Sequence, residues 1–436
     1  MRSRLLLPCL LAWSAAAPGL AQTAEDESVA RRPRPDYDAQ GVAWPDLLDG
    51  LDRVVSPEAR TQPRDDASSD ITLYPTVQTA LIADSNALKR QSDAQGDFAA
   101  QLTAGLSASS DDEDGGWSLG AAGDSLRYLR FSSQNGDEAR LHQGGFLAPT
   151  EDWRADLSLD EQWLVQPIED SGSGYRQQRP SRYAQYSALL EAGYTNDDWE
   201  LTTRERAIVY RYAVNPPVIL GNEQDYEELT STLHLARSVF DGTAIFIEPQ
   251  VNLRHYDREI STDGLRHDSS GGQVLGGLRY DLSSVTYVEG GAGWLRQDYV
   301  DHAFPTVSGP ALQARAVWNP LDRLSFGAGA QRQIAESNVR GTAGVEATAE
   351  TASADYEIDD NLLAGFNFSF TDMRYKVEVG SPSRTDDITQ FGVDVRYLID
   401  ETVSIAAAWT DYRRASTLAG AILDFNRLTV SANFQW

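Results

Sequence analysis

Five histidines (His142, His234, His255, His267 and His302) are the residues of this 436-residue chain best suited to proton transfer near neutral pH. None stands in a His-x-x-x-His or His-x-Ser spacing, so the spacing yields neither a helical zinc site nor an adjacent nucleophile–base pair. His267-Asp268-Ser269 gathers three suggestive residue types, but neighbours on an extended segment point in opposite directions. Asp111 to Gly115 has the acidity of a calcium loop without its ligand spacing or its closing Glu. The run Gly271-Gly272-Gln273-Val274-Leu275-Gly276-Gly277 lacks the helix that a phosphate-binding loop opens, and it suits strand curvature better. The single cysteine, Cys9, falls in an N-terminal apolar run. No catalytic residue, cofactor site or metal ligand is assigned, and the chain is not expected to be an enzyme.

A different set of polar residues carries more information. Glu248, Gln250, Asn252 and Arg254 alternate with Ile245, Ile247, Val251 and Leu253. Gly365, Asn367, Ser369 and Thr371 alternate with Leu362, Ala364, Phe366, Phe368 and Phe370; Asp394 and Arg396 alternate with Phe391, Val393, Val395 and Tyr397. A period of two over ten or more residues means strand, because successive side chains point to opposite faces. With Arg279, Gln313 and Arg315, these residues (Glu248, Gln250, Asn252, Arg254, Arg279, Gln313, Arg315, Asn367, Asp394 and Arg396) are the candidates for the polar face. The face mixes both charge signs with amides. That composition suits many weak hydrogen bonds to a hydroxyl-rich solute, and it equally suits plain hydration of a water-filled interior.

The connections decide what the strands build. Short turns such as Asn196-Asp197-Asp198, Asp241-Gly242, Pro320-Leu321-Asp322, Asp359-Asp360 and Asp400-Glu401 take turns with longer polar loops such as 168–181, 215–225, 258–269 and 377–387. Short turns on one side and long loops on the other characterise a transmembrane barrel. Aromatics near the short turns (Tyr194, Trp199, Tyr280, Trp318, Tyr356, Tyr397) and at the opposite strand ends (Tyr210, Tyr212, Tyr256, Tyr299, Tyr375, Tyr412) read as two interfacial belts. Tyr280, Trp318, Tyr356 and Tyr397 also recur 38, 38 and 41 positions apart, the length of one hairpin plus one long loop. The expected fold is all-β, an antiparallel up-and-down transmembrane barrel of 18 strands over 71–436. Sixteen is the alternative if a weak pair near 116–149 is misread. One residue resists the register: Glu205 falls on the lipid face if Leu201 and Val209 do, which predicts a bulge or a position above the bilayer.

Both ends of the chain agree with a barrel exported through the envelope. Arg2 and Arg4, the apolar run Leu5 to Ala17, and Gly19-Leu20-Ala21 read as a signal peptide over 1–21. Residues 22–70 are polar and Pro-interrupted and read as a flexible periplasmic arm. At the other end Leu428, Val430, Ala432, Phe434 and Trp436 share a face, and Phe434 with Trp436 resembles the C-terminal signal by which outer-membrane proteins are assembled. The mean hydropathy of −0.42, without a long apolar run after the leader, excludes a helical membrane protein. A net charge of −28 argues against a nucleic-acid partner. Too few residues precede Ile71 for a transporter plug or for the periplasmic modules of an insertase.

Short stretches then carry a resemblance. Tyr74-Pro75 through Asp84-Ser85-Asn86, Asp263 to Ser269, Arg384-Thr385-Asp386-Asp387, Tyr412-Arg413-Arg414-Ala415-Ser416 and Asp424-Phe425-Asn426-Arg427 resemble, in order and spacing, the putative β-barrel porin type 2 family of exopolysaccharide gene clusters. The resemblance implies an outer-membrane porin acting as a passive conduit for exopolysaccharide export, with no catalytic residues to carry over. A diffusion porin for small-solute uptake and a structural or adhesive surface barrel stay open as alternatives. Expected partners are outer-membrane lipid and lipopolysaccharide, the assembly machinery, polysaccharide and periplasmic export components; no cofactor is expected.

Overall fold

Alternation of period two becomes one closed sheet in the computed structural model, which describes residues 71–112, 114–166, 180–213, 225–259, 264–283, 286–336, 341–377 and 383–435. The first six strands are β1 (Thr72–Asp84), β2 (Asp97–Asp112), β3 (Gly115–Tyr128), β4 (Gly136–Thr150), β5 (Trp153–Gln166) and β6 (Ser181–Thr195). Next come β7 (Trp199–Tyr212), β8 (Tyr226–Phe240), β9 (Thr243–Tyr256), β10 (Ser269–Ser283), β11 (Thr286–Tyr299) and β12 (Val307–Leu321). The last are β13 (Leu324–Ala335), β14 (Thr342–Asp359), β15 (Leu362–Val377), β16 (Arg384–Leu398), β17 (Val403–Ser416) and β18 (Leu423–Gln435). The pair near 116–149 is real: β3 and β4 are 14 and 15 residues long, and the count is 18. The signal peptide, the 22–70 arm and Trp436 lie outside the described residues.

Each strand pairs antiparallel with its sequence neighbours, and β1 also pairs β18, from Thr76 opposite Gln435 to Asp84 opposite Arg427. The β1–β18 pairing closes the sheet, so it has no end strand, which a sheet in hydrocarbon requires. Turns such as Glu151-Asp152 and Asp241-Gly242 join strands at one end, while the connections at the other end run from 417–422 up to 167–180. Gly242 shows why one of these turns needs glycine. Its φ is +66°, and a β-carbon there would sit 2.6 Å from the Asp281 carbonyl oxygen. Register shifts at Leu147/Thr150, Ser238/Phe240, Asp281/Ser283, Trp318/Leu321 and Glu357/Asp359 all lie at the short-turn rim, where a bulge adds twist without interrupting the wall.

Apolar side chains face outward. Leu81 is 69% exposed, and Leu102, Leu119, Leu233, Ile247, Val274, Leu312, Val395 and Val430 are exposed with it. At the short-turn end Trp153, Trp199, Tyr280, Trp318, Tyr356 and Tyr397 are exposed, and Trp153 with Tyr194 and Trp318 with Phe326 pair at 4.9 and 5.3 Å between ring centroids. The second interfacial belt is not formed. Tyr210, Tyr212, Tyr256, Tyr299, Tyr375 and Tyr412 are all buried, because their positions carry inward parity. In β9, for example, Val251 and Leu253 face out, so Tyr256 faces in.

Glu205 also departs from expectation. The ladder runs through it without a register shift, opposite exposed Leu190 on β6 and Ser231 on β8, in the middle of β7. Its carboxylate faces outward and accepts a hydrogen bond from Ser231 Oγ at 2.6 Å. A hydroxyl one strand away offsets part of the cost of a lipid-facing charge, so no bulge is needed.

The barrel lumen as candidate functional site

Eighteen strands enclose more space than wall side chains fill. What lines that space follows from parity, and the lining comes in two layers.

The middle layer is polar, and its carboxylates Glu289, Glu248 and Glu191 each have a basic side chain beside them in the wall. Glu289 on β11 lies in register between Arg279 on β10 and Arg315 on β12. Arg315 donates to it through Nε at 3.1 Å and Nη2 at 3.2 Å, while Arg279 donates to Asp281 at 3.2 Å. Glu248 takes His234 Nδ1 at 3.0 Å, and Gln250 Nε2 donates to Thr232 Oγ1 at 3.1 Å. Elsewhere on this face Arg204 Nε donates to Glu191 at 2.7 Å, and Asp124 accepts from Gln101 and Thr103, each at 2.7 Å. Gln313 stands between Gly291 and Gln331, and Asn252 lies beside them in parity on β9. Across the barrel Asn367 leans over Gly392 and Asp394 over Gly365, with Arg396 two residues on. The residues named from sequence therefore fall in two groups, seven on β9, β10 and β12 and three on β15 and β16, and the structure does not gather them into one site.

The layer at the long-loop end is packed. Rings continue one another around the inner wall: Tyr183 on Tyr212 at 5.3 Å, Tyr210 on Tyr226 at 4.7 Å, Tyr226 on Tyr256 at 5.2 Å. His267 follows at 5.5 Å from Tyr256, then Phe304 at 4.7 Å from His267 and Tyr299 at 5.8 Å from Phe304. A second apolar centre joins Val345, Ala347, Met373, Tyr375, Ile388, Tyr412, Leu423 and Phe425, and Lys89 Nζ sits 3.2 Å over the Phe425 ring.

The hairpin of β13 and β14 produces much of this packing. β12 pairs β13 only as far as Leu312 opposite Arg332, although β12 itself continues to Val307. Beyond Arg332 β13 leaves β12 and stays paired to β14 as far as Ala335 opposite Val345, while β14 itself stays paired to β15 as far as Thr342 opposite Val377. The freed tip leans into the lumen. Ile334 packs on Leu275, Leu295 and Ala311 of the inner wall, and a β-carbon at Gly344 would meet the Tyr299 hydroxyl. Just past the strand, Glu336 accepts Arg254 Nη1 at 2.7 Å and the Tyr256 hydroxyl at 2.6 Å. Arg254 also donates to Glu228 at 2.8 Å and to the Ile334 carbonyl at 3.1 Å. Arg254 was legible as an inward residue. Glu228, Tyr256 and Glu336 were not, although Tyr256 shares the parity of Arg254 two positions away; nothing in the sequence brings Glu336 to them.

Two further buried carboxylates, Asp84 and Asp386, brace this end through ion pairs. Asp84 holds Lys89 Nζ at 2.8 Å and Arg427 Nη2 at 3.3 Å where the barrel closes. Asp386 accepts Arg384 Nε at 2.9 Å, the Tyr375 hydroxyl at 3.2 Å and Ser416 Oγ at 2.5 Å. Charge pairs this deep need every lone pair met, and these carboxylates have several donors each.

Comparison with known proteins places the chain. A family model described as "Putative beta-barrel porin 2" matches residues 70–436. A comparison with curated proteins found no match. Among solved structures, OccK2 (OpdF) of Pseudomonas aeruginosa in complex with glucuronate is 13% identical with a TM-score of 0.46, covering 84% of this chain and 98% of that one. OpdO of the same organism is 12% identical with a TM-score of 0.43, over 84% and 97%. The siderophore receptor PirA, also from Pseudomonas aeruginosa, is 11% identical with a TM-score of 0.43, over 84% and 80%.

Proposed function

This chain belongs to the putative β-barrel porin 2 family, and from that premise we propose that it is an outer-membrane conduit for the passive export of exopolysaccharide. The observation that carries the reading is the pairing of charges inside the wall. Ion-selective pores present rings of one sign to the solute. Here Glu289 is flanked by Arg279 and Arg315, Glu248 is taken by His234, and Glu191 by Arg204. What remains facing the interior is a surface of amides, hydroxyls and ion-paired side chains, together with Asp124, whose carboxylate is held by Gln101 and Thr103 rather than by a cation. Such a surface offers many hydrogen bonds of similar strength to a hydroxyl-rich chain and holds none of its sugars firmly.

A passive conduit needs its driving force from elsewhere, so periplasmic export components belong to the proposal, with outer-membrane lipid and lipopolysaccharide around the wall. The narrowing by the β13–β14 tip fits a conduit that stays shut to small solutes until polymer engages it. A small-solute uptake porin would need no such narrowing.

Deletion of the gene tests the reading. The expected result is loss of surface polymer with intracellular synthesis intact, restored by the full-length chain. Normal surface polymer in the deletion strain would overturn it.

A further inference from the structure

A serine, a histidine and an aspartate far apart in sequence meet on three consecutive strands. Ser118 on β3 stands opposite Gly144 on β4, and two residues along, His142 on β4 stands opposite Gly120 on one side and Asp160 on the other. All three face the lumen, since their neighbours Leu119 and Leu141 are exposed on the outer face, as is Trp163 in β5. Ser118 Oγ lies 3.3 Å from His142 Nε2, and His142 Nδ1 lies 2.8 Å from Asp160 Oδ1. An ionised carboxylate only accepts, so Nδ1 carries the hydrogen, and the neutral ring then offers the Nε2 lone pair to the serine hydroxyl. The second oxygen of Asp160 accepts from Ser158 Oγ at 3.0 Å and from Ser187 Oγ at 3.5 Å, which fixes the carboxylate in place. Gly144 leaves the approach clear: a β-carbon there would sit 2.7 Å from Ser118 Oγ and 2.9 Å from His142 Nε2. The side chains of His142 and Asp160 are 30% and 27% exposed, so lumen water reaches them.

We propose that Ser118, His142 and Asp160 are a nucleophile, general base and orienting carboxylate that hydrolyse carboxylic esters entering the lumen, with O-acyl groups on a hydroxyl-rich molecule as the substrate class. The choice of substrate rests on the conduit reading; the triad does not. Ser118 Oγ bonds to the ester carbonyl carbon while its proton passes to His142 Nε2. The carbon–oxygen bond to the alcohol breaks, and the alcohol leaves with that proton, which gives an acyl-serine. A lumen water then attacks the acyl carbon, giving its proton to His142 and releasing the carboxylic acid as Ser118 Oγ takes the proton back. The wall ladder occupies the backbone N–H groups, so side chains must meet the developing oxyanion. Ser109, directly opposite Ser118 on β2, is the hydroxyl donor the ladder places for it.

The test uses the full-length barrel, purified and folded in detergent, with p-nitrophenyl acetate as substrate and a fluorophosphonate as covalent label. The expected result is turnover by the wild type, with label mapped by mass spectrometry to the peptide containing Ser118. Ser118→Ala and His142→Gln should lower turnover by about 10²-fold or more while the unheated protein keeps its folded mobility on gels. Asp160→Asn should lower turnover less and move the acid limb of the pH–rate profile to lower pH, since the imidazolium loses its carboxylate. A role limited to stitching strands together would not move that limb. Wild-type turnover no faster than that of Ser118→Ala, or a folded barrel that takes no label at Ser118, would overturn the proposal. A barrel that turns over ester but exports no polymer would overturn only the conduit.

Discussion

Arg254 Nη1 lies 2.7 Å from Glu336 Oε1, although β10, β11 and β12 separate β9 from the end of β13 in the wall. The pair can form only across the interior, so it measures how far the β13–β14 tip has left the cylinder. Both side chains are nearly fully buried, at 6% and 5% exposure. Glu336→Ala leaves Arg254 with Glu228 and the Ile334 carbonyl and releases the Tyr256 hydroxyl. The expected outcome is a larger and noisier single-channel current than wild type in planar bilayers. Arg254→Ala strands two buried carboxylates and should also lower stability by about 3–5 kcal/mol, read by urea unfolding from lipid vesicles. An unchanged current in Glu336→Ala would mean that the tip does not limit passage.

The lipid-facing carboxylate gives a second expectation. Glu205→Leu removes a charge from the middle of β7 and leaves Ser231 with no buried partner to lose to lipid except its own small hydroxyl. The variant should be more stable by about 1 kcal/mol, and Glu205→Arg less stable by about 2–4 kcal/mol, the cost of a cation near the bilayer midplane. Equilibrium unfolding in vesicles measures both; equal stability of all three proteins would move Glu205 out of the hydrocarbon.

At the short-turn rim Gly242 occupies the left-handed region, with the Asp281 carbonyl close by. Gly242→Ala should destabilise the folded barrel by about 1–2 kcal/mol, seen as a lower temperature for loss of folded mobility on gels. No change would mean that the turn relaxes into another conformation at no cost.

The β16–β17 turn should be sensitive to acid. Asp400 Oδ1 accepts the Thr402 N–H and hydroxyl at 2.8 Å and the Val403 N–H at 2.9 Å, and these bonds, that from the Thr402 N–H first, hold its carboxyl below the usual carboxylate range. A lowered folded value means that the turn is stabilised above the ordinary value of about 3.9 and loses that support as pH falls through the folded value. Amide exchange should show protection of Thr402 and Val403 declining over that acid window, and absent throughout in Asp400→Ala. Protection that ignores pH in the wild type would contradict it.

Much of the barrel was legible because period two is a strong signal. Ile247, Val251 and Leu253 told which side of β9 meets lipid, and alternation of short and long connections told that the sheet closes in a membrane. The same parity already turned Tyr256 and Tyr210 inward, and reading them as an interfacial belt gave strand-end position more weight than face. Glu205 stands out in the sequence as a misfit, but its partner Ser231 sits one strand away and 26 positions on. Cross-strand register is what the sequence withholds. Glu289 between two arginines, Glu336 on Arg254, and Ser118 beside His142 and Asp160 depend on which residues face each other, and no local spacing encodes that.

Single-channel conductance of the purified barrel in planar bilayers, before and after long oligosaccharides are added, tests the conduit most directly. The expected result is a small resting current that Glu336→Ala enlarges and that long oligosaccharides block. A large, steady wild-type current that long oligosaccharides leave untouched and small solutes reduce would contradict it.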